Sequence, residues 1–186
     1  GLYSLLAGVT SMLAFATNAL ASTTQRFLSY HRGKSCIEKQ KDIFANSFYI
    51  QLILGLFTLV FLLALTPFLF AGVLNVPVER VFAAQWTYAI VALMLFVTFL
   101  CTPFRAILIS HENIVYITII DVIDGVLKVA LAIALFHVGY DRLIGYAIFL
   151  LLIQLFNLIA IAVYAIRKYE ECSIPSIRRV DKKYIK

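Results

Sequence analysis

"IVYITIIDVIDGVLKVALAIALF", residues 114–136, contains only three charged side chains, Asp121, Asp124 and Lys128. A helix rises ~1.5 Å per residue, so a run of this length reaches across a hydrocarbon layer ~30 Å thick. Steps of three and four residues put all three charges on one helical face. Asp124 and Lys128 fall near the middle of the run, where a long side chain cannot easily reach the membrane surface. A charge at such a depth costs about 2.5–3.5 kcal/mol when inserted in a helix. The charged face must therefore meet protein or water instead of lipid. Asp124 and Lys128 are placed to pair across one turn, which leaves Asp121 in excess. Ionisable groups inside a membrane are functional by default, so this face is read as a site, with a purely structural ion network as the alternative.

The rest of the chain repeats the apolar pattern. Of its 186 residues, 62% are hydrophobic and 14% charged, and the mean hydropathy is +0.93. A soluble domain is usually about 45–50% apolar and 25% charged. The expected fold class is therefore an all-α integral membrane protein, with five spans at 2–24, 43–70, 81–109, 114–136 and 143–166 and a basic tail at 167–186. Five lysines and arginines lie between the first two spans, one (Arg105) at the turn between the third and fourth, and seven in the tail. The other two connections hold only Arg80 and Arg142. Positive charge collects on the cytoplasmic side, which assigns 26–42 and 167–186 to the cytoplasm. The same distribution accounts for the formal net charge of +6 without a nucleic-acid partner, because membrane lipids with anionic headgroups attract such loops. Gly1 is neither an initiator methionine nor part of a signal peptide, and an inward-running first span implies a preceding helix. The chain is thus expected to be part of a longer membrane protein.

Other polar positions are fewer. In the first span Ser4, Gly8, Ser11, Asn18, Ser22 and Gln25 share one side, interrupted by Phe15, suited either to close helix packing or to lining a hydrated cavity. The second span reads as a lipid-facing or scaffold helix, with Gly55 midway and Pro67 near its outer end. Pro103 favours a bend in the third, and Arg105 either reaches lipid headgroups or turns inward to contact an anion. Gln154, Asn157 and Tyr164 form a weaker face in the fifth span, better suited to packing. Cys36, Cys101 and Cys172 are too scattered for a disulfide framework and read as structural. His31, His111 and His137 lie at loops or helix edges, without metal spacing, and read as solvated. There is no phosphate loop, no GxSxG and no HExxH, so neither a cofactor nor an enzymatic activity is expected.

The stretches "GLYSLLAGVTSM" (1–12), "TQRFLSYHRGK" (24–34), "LNVPVERVFAAQWTY" (74–88), "TPFRAILISHENI" (102–114), "GVLKV" (125–129) and "KYEEC" (168–172) resemble, in order, one family. It is the polysaccharide-transporter branch of the multidrug/oligosaccharidyl-lipid/polysaccharide (MOP) exporter superfamily, more narrowly the flippases of O-antigen and capsule synthesis. The resemblance implies five helices from the N-terminal lobe of a 12 to 14 helix MOP-type transporter, a missing second lobe of the same polypeptide, and the bacterial inner (cytoplasmic) membrane. It implies export of an undecaprenyl-diphosphate-linked oligosaccharide by alternating access. On that reading Lys128, Arg26 and Arg105 are the cations available to the diphosphate, with Lys128 deepest. Asn18 and Gln25 line the same cavity, and Asp121 and Asp124 balance charge or carry a coupling ion. The doubled aspartate departs from the family's usual glutamate or absent acid before "LK". Competing readings are a small-cation or drug exporter, a non-transporting membrane scaffold, and a membrane glycosyltransferase.

Overall fold

The structure, a computed structural model, describes residues 18–19, 21–33, 37–68, 81–136 and 142–172. These form helices α1 (21–33), α2 (Ile37–Phe68), α3 (Val81–Ser110), α4 (Ile114–Phe136) and α5 (Arg142–Lys168), followed by a single 3-10 turn at Glu170–Cys172. Among the described residues there is no strand.

Helices α2, α3 and the Gly145–Lys168 part of α5 are each long and apolar enough to cross a membrane. Their side chains point the opposite way from those of a water-soluble bundle. Ile53, Leu56, Phe57 and Phe61 of α2, and Phe149, Leu152 and Ile159 of α5, face outward. Gln40, Asn46, Gln51, Thr102 and Asn157 are buried. Large contiguous apolar surfaces are uncommon on soluble monomers, whereas this distribution suits a hydrocarbon solvent, in which outward apolar groups cost nothing.

α3 is the axis of the arrangement. α2 packs on one side of it and α5 on another, while α4 lies mainly against α5. The main core occupies one end, where Leu28 of α1, Phe44 of α2, Phe104, Ile107 and Leu108 of α3, Ile117 and Ile120 of α4, and Ile161 and Ala165 of α5 converge. Tyr169 and Cys172 close this end from beyond α5. At the far end a small cluster of Leu62, Tyr88 and Ala92 holds α2 to α3, with the Tyr88 hydroxyl donating to the Leu62 carbonyl at 2.9 Å. Beyond Ile120 the residues of α4 are exposed or half-buried as far as their burial is described.

The turn between α3 and α4 sets the position of the charged face. The Glu112 N–H donates to the Ile109 carbonyl and the Asn113 N–H to the Leu108 carbonyl, both at 2.9 Å. This pair of reversed bonds is the Schellman termination, which needs a left-handed residue. Glu112 supplies it with φ 58°, a conformation that favours glycine and costs a side-chain-bearing residue about 1–2 kcal/mol. α4 can therefore begin at Ile114, directly after the turn.

Helix limits agree closely with the sequence reading for α3, α4 and α5 but not for the first two segments. α1 runs on to residue 33 and α2 begins at Ile37, so most of 26–42 is helix instead of a connecting loop. Apolar runs mark the depth of hydrocarbon, whereas a helix continues for as long as its backbone bonds do. Glu38 in the first turn of α2 favours this early start through the positive end of the helix dipole. α3 remains helical through Pro103. The first-span residues Ser4 to Phe15, together with Cys36, His137 and the tail from 173, lie outside the described residues.

At Gly55 α2 packs tightly against α3. A Cβ added there would lie 3.0 Å from Phe99 Cβ and 3.1 Å from Phe96 Cδ2. Gly55→Leu is therefore expected to force the two helices apart and to cost about 1–3 kcal/mol, as overpacking of a filled interface does. A thermal-unfolding midpoint in detergent equal to that of the wild type would show the contact to be slack.

Candidate functional site

The charges of α4 are met by α3 and by α4 itself. Arg105, five residues before the end of α3, grips Asp121 with both terminal nitrogens: Nη1 donates to Oδ2 at 3.1 Å and Nη2 to Oδ1. Nη2 also donates to the Asn157 Oδ1 of α5 at 3.3 Å. One guanidinium thus ties three helices, and the forked geometry of arginine makes that possible. Three residues further along α4, Lys128 Nζ donates to Asp124 Oδ2 at 2.6 Å. The other oxygen of Asp124, Oδ1, is buried without a hydrogen-bond partner.

This arrangement corrects one expectation and selects between two others. Asp121 is not an excess charge, because Arg105 neutralises it. The four side chains Arg105, Asp121, Asp124 and Lys128 sum to zero. Arg105 turns inward, but the anion it holds is a carboxylate of this chain. The expected pairing of Asp124 with Lys128 is present.

Exposure separates the two pairs from an ordinary buried core. Side chains of Arg105 and Asp121 are 33% and 45% exposed, and those of Lys128 and Asp124 are 38% and 15% exposed. α4 has the length of a membrane span, and ~15 Å of its ~35 Å precede Asp124. In a bilayer, exposed charge at that depth would be unfavourable against lipid and would call for further protein or water on this face. An ammonium has three donors, and Lys128 spends one on Asp124.

A polar seam continues the site between α3 and α5. Gln154 Nε2 donates to Thr98 Oγ1 at 3.2 Å, and the Cys101 thiol lies 3.9 Å from Asn157 Oδ1. At the core end Asn113 Nδ2 donates to the hydroxyls of Tyr164 and Tyr169 at 2.8 and 3.1 Å. Gln154, Asn157 and Tyr164 thus serve helix packing, as their spacing suggested. The two described histidines, His31 and His111, are less solvated than expected. His111 stacks on Tyr169 with centroids 4.0 Å apart, and the buried His31 Nδ1 has no hydrogen-bond partner. Cys101 and Cys172 are buried free thiols.

The remaining candidates are spread along α1. Asn18 is exposed. Gln25 lines a hollow of ≈ 600 Å³ with Ser29, Arg32 and Glu112, and the Arg32 guanidinium donates to the Ser110 carbonyl. Arg26 borders a different hollow, of ≈ 530 Å³, with Thr23, Phe27 and Tyr30. Gln25 and Arg26 thus border different hollows.

The sequence reading passed over two amides of α2. Asn46 and Gln51, 3% and 2% exposed, stand inside a segment read as lipid-facing or scaffold. Each is a polar residue within a long apolar run, and that alone was a signal. Their five-residue separation hid it, because it matches neither of the steps that mark one helical face.

No family model matches the chain, and no curated protein and no solved structure does either.

Proposed function

We propose that this chain belongs to an integral membrane transporter, with 2–24 and helices α2 to α5 as spans, that moves a lipid-linked oligosaccharide across the bacterial inner membrane. The observation that carries the reading is the pair of ion pairs on α4, placed near mid-helix and left partly open. A scaffold has little use for exposed charge at that depth, whereas a path for a hydrated anionic headgroup requires it. The sequence resemblance supplies the cargo, an undecaprenyl diphosphate bearing a glycan.

The two pairs divide the work. Arg105, Asp121 and Asn157 form a closed interhelical tie. Lys128 has only a flexible contact within its own helix and two uncommitted donors, so it is the cation that can exchange Asp124 for a diphosphate. Lysine meets phosphate as a compact point charge and needs no fixed fork. Asp124 then sets the charge of the empty site or carries the coupling ion.

The reading is tested by reconstituting the full polypeptide in vesicles loaded on one leaflet with a lipid-linked oligosaccharide, then following the glycan's access to an external glycosidase. Accelerated exposure over protein-free vesicles supports it; a rate equal to theirs overturns it. A drug exporter would instead move an organic cation in the same vesicles.

A further inference from the structure

A second polar site lies at the basic end of α5, where that helix packs beside the start of α4. Tyr116 of α4 and Ile159, Val163, Tyr164, Arg167 and Lys168 of α5 border a hollow of ≈ 490 Å³. Arg167 and Lys168 occupy the last turn of α5 and are exposed. Val163 and Ile159, 42% and 59% exposed, lie ~6 and ~12 Å before Arg167 on the same side of the helix. The cations therefore stand at the head of an outward apolar stripe. Among the described residues no acidic side chain lines the hollow.

The cationic end is anchored. Tyr164 stacks on Tyr116 with ring centroids 3.8 Å apart, and the Tyr116 hydroxyl donates to the Ala160 carbonyl at 3.1 Å. The Tyr164 oxygen accepts from Asn113 Nδ2 at 2.8 Å and from Lys168 Nζ at 2.7 Å. A phenol also has one hydrogen to give, and that of Tyr164 meets no acceptor among the described residues. Lys168 keeps two further donors, and Arg167 makes no hydrogen bond or ion pair with any described residue. Unspent donors and two positive charges thus meet in one place with no acceptor between them.

We propose that this hollow seats one anionic phospholipid, its phosphate on Arg167, Lys168 and the Tyr164 hydroxyl and an acyl chain along Val163 and Ile159. A phosphate offers charge and acceptors, which is what a set made only of donors requires. Free phosphate would meet the cations but leave the apolar stripe uncovered, whereas a lipid covers both. The stripe opens outward, so the lipid that reaches it is that of the surrounding bilayer. Lys128 lies ~18 Å along α4 from Tyr116, which makes this contact separate from the one proposed for the cargo. The inference rests on the membrane part of the transport reading and not on its cargo.

The test is native mass spectrometry of the full polypeptide released from detergent, with phosphatidylglycerol and phosphatidylcholine of identical acyl chains as probes. The wild type is expected to retain phosphatidylglycerol in preference. The double variant Arg167→Ala, Lys168→Ala should retain one phosphatidylglycerol fewer. Arg167→Gln, a single change at an exposed position that should fold regardless, should weaken retention of that one lipid several-fold. Lys128→Ala should leave the count unchanged. Equal counts in the wild type and the double variant overturn the inference, as does equal retention of the two lipids. Displacement of the lipid by millimolar inorganic phosphate also overturns it and makes the hollow a free-phosphate site. Failure of vesicle transport with this lipid retained removes the cargo reading alone, and transport with equal lipid counts in the wild type and the double variant removes the lipid site alone.

Discussion

Arg105→Ala is expected to lower the stability of the bundle by about 2.5–3.5 kcal/mol, the insertion cost of the solitary aspartate it leaves on α4. Arg105 grips Asp121 with two nitrogens and reaches Asn157 with one of them. Alanine therefore strands a carboxylate at membrane depth and an amide in the α3–α5 interface together. Breaking such a pair by removing one partner is costly because the other charge remains, whereas removing both is much cheaper. Asp121→Leu alone should be similarly damaging, since it strands the guanidinium. The double variant Arg105→Met, Asp121→Leu should recover most of the loss.

A double-mutant cycle read from unfolding midpoints in detergent checks this. A coupling of about 2 kcal/mol or more between the two positions is expected, near the upper part of the range for residues in direct contact. Additive losses would mean that water already screens both groups and that the tie holds nothing. The recovered double variant has a further use. If it still transports, Arg105 and Asp121 are a fastening; if it is stable and inactive, Arg105 contacts cargo after all.

What the sequence revealed depended on how local the deciding interactions are. The limits of α4 were legible because a single helix carries the whole apolar run. The Asp124–Lys128 bond was legible for the same reason, since a spacing of four residues is a contact in any helix. The partner of Asp121 was not, because Arg105 lies sixteen residues earlier and reaches it only through the geometry of the Glu112 turn. Asn157 joins that contact from α5, farther still in sequence. The start of α2 was missed because hydropathy reports apolar runs, and the helix continues through the polar residues 38–42 that precede one. Asn46 and Gln51 were overlooked in turn because a long apolar segment draws attention to its average.

Lys128→Ala, finally, is expected to cut transport at least tenfold with little loss of folded protein, a combination that separates this pair from the Arg105 tie. Lys128 contacts Asp124 within one helix, and such i, i+4 pairs contribute only about 0.3–0.5 kcal/mol where water reaches them. Unlike Arg105→Ala, the change breaks no hydrogen bond between helices. The loss should therefore appear in cargo movement instead of in stability. Lys128→Arg keeps the charge but replaces a point cation with a planar fork, and should restore transport in part. Asp124→Asn frees the ammonium from its carboxylate; if Asp124 competes with the diphosphate, this variant should bind cargo more tightly and release it more slowly. The measurement is glycan exposure in the vesicle assay, normalised to folded protein, with cargo affinity determined in parallel. Wild-type transport by Lys128→Ala would remove Lys128 from the path and leave the open ion pair on α4 as a contact for another helix.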